Sequence, residues 1–204
     1  MNTKTLTVAG AMLLALSFQA QAEEEVHSSR AHIKAEHHEE GNLYVVAKGM
    51  LSLGEKKTEE ATDTEKEAEL EGDMGGGIGL DVGYRVGYGF ALEFDFSYGQ
   101  TNVTKKVAGE EDKSGSGQYM TFGIDLLYGY HLNESWVLFA KGGYEYEIEK
   151  ITDLDIDLGS QGFAYGVGME YAINSHYAVL VEYEGSTIES PRGPGIFGGI
   201  SYTY

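Results

Sequence analysis

The stretch YGFALEFDFSYG, residues 88–99, alternates without a break. Tyr88, Phe90, Leu92, Phe94, Phe96 and Tyr98 fall on one face of an extended chain, and Gly89, Ala91, Glu93, Asp95, Ser97 and Gly99 fall on the other. The first face is wholly apolar and aromatic; the second is small or acidic. A soluble sheet buries its apolar face and wets its polar one, but glycine, alanine and carboxylates stacked against each other cannot make a dry core. The apolar face must therefore meet something other than water. If that something is lipid, the sheet must also close on itself, because a bilayer offers no partner to an unpaired backbone edge.

The same period recurs along the chain. Ile78, Leu80, Val82 and Tyr84 oppose Gly79, Asp81, Gly83 and Arg85, while Phe122, Ile124, Leu126, Tyr128 and Tyr130 oppose Thr121, Gly123, Asp125, Leu127 and Gly129. Leu127 is the exception. Further alternating segments cover 136–147, 165–173 and 177–184, and Ile200, Tyr202 and Tyr204 alternate with Gly199, Ser201 and Thr203. The segment LYVVAKGMLSL, 43–53, is less regular, and Lys48 marks its polar face. Together these make eight strands. Short connections fall near 86–87, 133–135 and 174–175. Long polar ones cover 55–73, 100–117, 150–159 and 185–194, the last holding Pro191 and Pro194, where no ladder needs their missing N–H. The pattern predicts an all-β fold: an eight-stranded antiparallel up-and-down transmembrane β-barrel over 42–204, with the short turns in the periplasm. Tyr84, Tyr88, Tyr130, Trp136, Tyr171 and Tyr177 flank those turns as an aromatic girdle. The first long connection, EKKTEEATDTEKEAELEGD, is an acidic run that admits a short helical piece. It suits divalent-cation bridging to lipopolysaccharide or an external partner.

The N-terminus carries Lys4, an apolar stretch over 6–18 and then Ala20-Gln21-Ala22, the pattern of a secretory signal over residues 1–22. Thirteen apolar-rich residues are too few for a spanning helix, which needs about 20. Residues 23–41 read as an acidic, histidine-rich, disordered periplasmic tail. Its His27, His32, His37 and His38 could ligate zinc, nickel or copper, but their spacing follows no defined ligand pattern. The chain has no cysteine, so no disulfide staples it, and a net charge of −19 excludes nucleic acid as a partner.

The polar face directs Lys48, Asp81, Arg85, Glu93, Asp95, Asp125, Lys141, Glu145, Glu147, Glu149, Glu170, Glu182 and Glu184 into the lumen. Eight strands leave just enough width for side chains, so these groups are expected to pair with one another and with water. Three of them are cationic, so any leak should favour cations. Some eight-stranded barrels modify lipid A, using histidine with serine or an acid on the outer-leaflet side. Here His131 and His176 sit beside short turns and the other four histidines in the tail, so no base is positioned for a nucleophile and no cofactor is called for.

The segments GVGMEYAINSHYAVLVEYE (166–184), FALEFDFSYG and YVVAKG resemble the transmembrane domain of outer membrane protein A and its relatives. That family is known for a terminal aromatic residue, with apolar residues at alternate positions before it, read by the barrel-assembly machinery. Ile200, Tyr202 and Tyr204 match it. The resemblance aligns Glu93 and Glu170 with acids of the family's internal gate, but puts Leu127 and Leu180 where the family has cations, so the gate is not carried over. Lys48 and Lys141 are then the expected partners of Glu93 and Glu170. The full-length namesake continues into a peptidoglycan-binding domain for which this chain has no counterpart. The resemblance implies a monomeric barrel in a Gram-negative outer membrane, with both termini periplasmic, in contact with membrane lipid and lipopolysaccharide. Its role would be structural and surface-interacting, in adhesion or envelope integrity, with a possible extracellular ligand. A narrow, weakly cation-selective porin-like channel is the alternative, and a lipid A-modifying enzyme a remote one.

Overall fold

In the computed structural model, which describes residues 41–59 and 67–204, the alternating segments become the staves of a closed ring. In chain order the strands are β1 (Leu43–Ser52), β2 (Lys56–Glu59), β3 (Ala68–Gly72), β4 (Gly75–Gly87), β5 (Phe90–Val107), β6 (Lys113–His131), β7 (Trp136–Ile151), β8 (Ile156–Ala172), β9 (Tyr177–Ser186) and β10 (Gly195–Thr203). All except β2 and β3 form the ring, each paired antiparallel with its neighbours. The seam is β1, whose Val46 pairs with Asp81 of β4 on one side and Ser201 of β10 on the other. The leader expected over 1–22 and the tail histidines His27, His32, His37 and His38 lie outside the described residues.

The ring turns its apolar rows outward, as a barrel in lipid requires. Phe94 is 58% exposed and Leu126 54%, whereas their chain neighbours Glu93 and Asp125 are 4% and 2% exposed. Outward residues from Phe90 to Tyr98 on β5, and from Phe122 to Tyr130 on β6, give each strand nine residues of apolar height, enough to cross a bilayer when tilted. Near the short turns, Trp136 and Tyr171 are register partners whose rings lie 4.7 Å apart. Tyr84, Tyr130 and Tyr177 stand exposed at the same end.

Three local expectations need correction. The turn expected near 86–87 sits at Tyr88-Gly89. A two-residue hairpin that matches strand twist needs positive φ at both central positions, and Tyr88 and Gly89 supply 55° and 84°. Tyr88 therefore leaves the lipid-facing row and is 90% exposed in the turn, and the ladder shifts register between Arg85 and Gly87.

The connection expected over 100–117 is mostly strand. Pairing of β5 with β6 continues to Lys105 and Lys113, because Thr101 and Val103 keep the inward period that Ser97 and Gly99 began. Residues 100–107 reach about 20 Å beyond the last lipid-facing aromatic, at about 3.3 Å per residue and a tilt of about 40°. Likewise the connection over 150–159 shortens to a single 3₁₀ turn, Thr152–Leu154.

The third correction concerns the acidic run. Its described parts hold the strands β2 and β3 where a connection was expected, while residues 60–66, with any short helical piece, lie outside the described residues, and β3 pairs with the protruding end of β5. AELEG alternates, so Ala68 and Leu70 turn inward and the acids outward. Leu70, Val103 and Ile151 form a small apolar core there, with Leu154 and Ile156 packed against it. Outside it, Lys106 donates to Glu71 and holds that carboxyl below its ordinary range, with Lys56 adding to the effect.

Candidate functional site

The lumen is the concentration of buried chemistry in this chain, and it is arranged in three layers between the short-turn end and the long-loop end. On the strands, inward positions come from the same period of two that puts aromatics in lipid, so each strand contributes alternate residues to the layers.

The layer at the short-turn end is apolar. Tyr44, Val46 and Ala91 pack together with Leu127 and Leu180, and the buried Val137 and Phe139 face the same small cavity, about 50 Å³ in volume. Two luminal glycines make this possible. A Cβ at Gly83 would overlap the Tyr44 ring, and one at Gly168 would overlap the ring of Phe139. The polar edge of the layer is Arg85, whose guanidinium lies 4.5 Å from the Tyr44 ring centroid and 3.7 Å from Glu170. The Tyr44 hydroxyl donates to Glu93 at 2.7 Å.

The middle layer is ionic. Lys48 reaches Asp81 at 2.7 Å and Glu182 at 3.4 Å, and its ammonium stands 4.7 Å from the centre of the Phe197 ring. Lys141 reaches Glu182 and Glu184, each at 2.7 Å, and Asp125 at 3.4 Å. Glu182 thus bridges both lysines. Asp95 lies beside Gly123, where an added Cβ would strike its carboxylate, and it has no ion pair among the described residues.

The lysines therefore hold different acids from those expected. Glu93 is hydrogen-bonded by Tyr44 and Glu170 is paired with Arg85, while Lys48 and Lys141 hold Asp81, Asp125, Glu182 and Glu184. The reason is geometric. Gly83 opens the space through which Tyr44 reaches Glu93, and Gly166 and Gly79 leave room for the lysine stems to lie along the wall.

The outermost layer, at the long-loop end, contains a residue that alternation cannot reveal. Arg192 belongs to the connection 187–194, yet it is only 6% exposed, with Nε 2.8 Å from Glu147 and Nη2 3.8 Å from Glu145. Lys57 of β2 adds a contact with Glu149 at 3.9 Å. The one available signal was compositional: SPRGPG combines both prolines of the chain with a single cation, which marks a rigid turn but not the direction it faces.

Among the described residues, ten luminal carboxylates face four luminal cations, Lys48, Arg85, Lys141 and Arg192, with Lys57 reaching in from the rim. The assembly-signal residues stand elsewhere. Ile200 and Tyr204 are exposed on the outer face of the seam, and Tyr202 makes ring contacts with Tyr177 and Tyr204 at 5.1 Å and 4.9 Å.

The family model for the outer membrane protein beta-barrel domain matches residues 8–203. Among solved structures, the outer membrane protein OprG from Pseudomonas aeruginosa is 15% identical over 83% of this chain and 98% of its own, with a TM-score of 0.58. Neisserial surface protein A, NspA, is 13% identical over 79% of this chain and 97% of its own, at 0.55. Ail, the attachment invasion locus protein of Yersinia pestis, is 16% identical over 81% of this chain and all of its own, at 0.53. Identities this low carry the fold alone. No curated protein matches the chain.

Proposed function

Because the chain belongs to the outer membrane protein beta-barrel domain family, we propose that it serves the outer membrane as a structural and surface-interaction barrel rather than as an open pore. The observation that carries this reading is the filled lumen: an apolar layer, an ionic layer and Arg192 follow one another along the axis. The short turns then face the periplasm, with both chain ends, and the strands that outrun the lipid face outward as a monomer's exposed surface. Ail has been crystallised with the heparin analogue sucrose octasulfate. This chain's outward end carries Glu67, Glu69, Glu71, Asp73, Glu110, Glu111 and Asp112 against Lys56, Lys105, Lys106 and Lys113, and the acidic excess left after Lys56 and Lys106 pair with Glu69 and Glu71 would repel a sulfated polyanion and favour a basic partner. His131 and His176, the described histidines, flank the short turns, which leaves lipid-modifying chemistry at the outward end without a histidine base among the described residues.

The excess of ten carboxylates over four cations favours a second reading, a narrow cation-selective channel. Planar bilayers holding the refolded protein separate the two. Silence is the expected result, and stable cation-selective steps would replace the structural reading with the channel.

Tyr204, with Ile200 and Tyr202, is proposed as the signal read by the assembly machinery. Its N–H donates to the Leu43 carbonyl, but its side chain stays 68% exposed and adds little to packing within the barrel. Deleting Tyr204 should therefore reduce insertion in cells far more than refolding of purified protein into detergent. Equal losses in both assays would reduce it to a packing residue.

A further inference from the structure

The pairing of β1 with β10 continues past the ends of both strands. Leu53 N–H donates to the Pro194 carbonyl at 2.9 Å, Gly54 N–H to Arg192 at 3.0 Å and Glu55 N–H to Pro191 at 3.0 Å, so backbone laces the two segments together above the barrel mouth. Beyond Glu55 they part. No backbone hydrogen bond joins residues 56–58 to 187–190, and a cleft of about 440 Å³ opens between 55–58 on one side and 186–190 on the other. Both lips are held from behind. β2 is paired with β3, while Thr187 N–H donates to the Phe163 carbonyl at 2.9 Å and Ile188 N–H to the Ser186 hydroxyl at 3.0 Å.

The β2 lip is a bare strand edge. β2 ends the order of the sheet, with β3 as its one neighbour among the described residues. Gly72 N–H donates to the Glu55 carbonyl at 2.9 Å, which sets the phase of the antiparallel ladder: Glu55 and Lys57 bond toward β3, so Lys56 and Thr58 turn their N–H and C=O groups the other way, toward the cleft. Lysine side chains commonly guard such edges, but here both ammoniums are drawn away. Lys56 lies 3.1 Å from Glu69 and 3.6 Å from Glu71 of β3, and Lys57 contacts Glu149 at 3.9 Å. Glu55 and Glu189, one on each lip, are exposed and make no ion pair among the described residues, so the cleft keeps uncompensated negative charge.

We propose that this cleft is a strand-acceptor site, in which an extended segment of a basic partner protein pairs with the free edge of β2 and directs its cationic side chains to Glu55 and Glu189. Such docking rests on the surface-interaction reading and names the chemistry of the partner. Main-chain bonds to Lys56 and Thr58 supply attachment, and the two carboxylates supply the preference for lysine or arginine. At about 440 Å³ the cleft falls within the range of about 300–1,000 Å³ usual for preformed ligand sites. Because both lips are bonded in place, the ordering of the incoming segment is the main entropic cost.

A short fluorescent peptide alternating lysine and threonine tests the site by anisotropy against the refolded protein in phosphatidylcholine nanodiscs, whose neutral surface does not attract it. The peptide should bind saturably. The same peptide N-methylated at every amide keeps its charge but cannot donate to a strand edge, and it should bind at least tenfold more weakly, as should a counterpart with glutamate in place of lysine. Thr58→Pro removes an edge N–H that the ladder with β3 does not use, and should weaken the lysine peptide at least tenfold. Glu55→Gln combined with Glu189→Gln should narrow its margin over the glutamate peptide. Equal binding of the methylated peptide would reduce the attraction to charge alone and overturn the strand site. Equal binding of the glutamate peptide, or no binding of the lysine peptide, would overturn it too. Heat-modifiable gel mobility reports folding of each variant, and the methylated peptide decides the matter on the unchanged chain should Thr58→Pro misfold. Conductance in planar bilayers would sink the structural reading without altering these ratios, so the two failures are distinguishable.

Discussion

Replacing Lys141 with methionine is expected to destabilise the barrel by about 3–5 kcal/mol, the usual cost of removing one partner from a buried ionic group. The Lys141 side chain is fully buried and holds Asp125, Glu182 and Glu184, so its loss leaves three carboxylates in the lumen with Lys48 as the nearest compensating cation, already shared with Asp81. Methionine keeps most of the stem volume, which separates the charge effect from a cavity effect. Adding Glu182→Gln should recover part of the loss, with a coupling of about 1–3 kcal/mol, whereas Glu93→Gln should recover little, because Glu93 is bonded by Tyr44. Denaturant titrations of refolded protein read the single and double variants. A loss below about 1 kcal/mol for Lys141→Met, or recovery by Glu93→Gln equal to that by Glu182→Gln, would redraw the middle layer around another cation.

Phe94→Arg is expected to cost about 2–4 kcal/mol in lipid, the range for an arginine at the bilayer midplane. Phe94 is the third of five outward residues between Phe90 and Tyr98, and its register partner Ile124 is the second of five between Phe122 and Tyr130. It therefore sits at mid-height with apolar neighbours on both sides. Gln100→Arg, on the same outward row but past the last aromatic, should cost less than about 1 kcal/mol, as depth dependence requires. Equal costs at the two positions would place the membrane elsewhere along β5.

The staves and their inside-outside assignment are legible in the sequence, because lipid on one side and a narrow lumen on the other force opposite chemistry onto adjacent residues. The pattern loses its force where the membrane ends. Past Tyr98 the outward face of β5 meets water instead of lipid, so Gln100, Asn102 and Thr104 read as loop even though Thr101 and Val103 continue the buried inward row. The acidic run misleads for the same reason: its charges read as a solvated connection, and only the spacing of Ala68 and Leu70 marks β3. Within the lumen, residue types are legible and partners are not. Pairing depends on which glycine lets a side chain pass, as Gly83 does for Tyr44, and on heights set by strand stagger. Arg192 escapes because a turn has no period to betray its direction.

The seam between β1 and β10 joins residues from opposite ends of the barrel sequence, Tyr44 with Thr203 and Ser52 with Gly195. Every other ring pairing links consecutive staves through a connection that brings them together locally, but this one must wait until the last stave exists. The ring therefore cannot close as a growing chain is made. Until closure, a nearly complete sheet has two bare edges and a broad aromatic surface, the combination most prone to sticking to other chains. The entropy of bringing distant segments together falls on this one step, which should make it the slow event of folding. The vulnerability of a chain built this way is a matter of timing rather than of final stability.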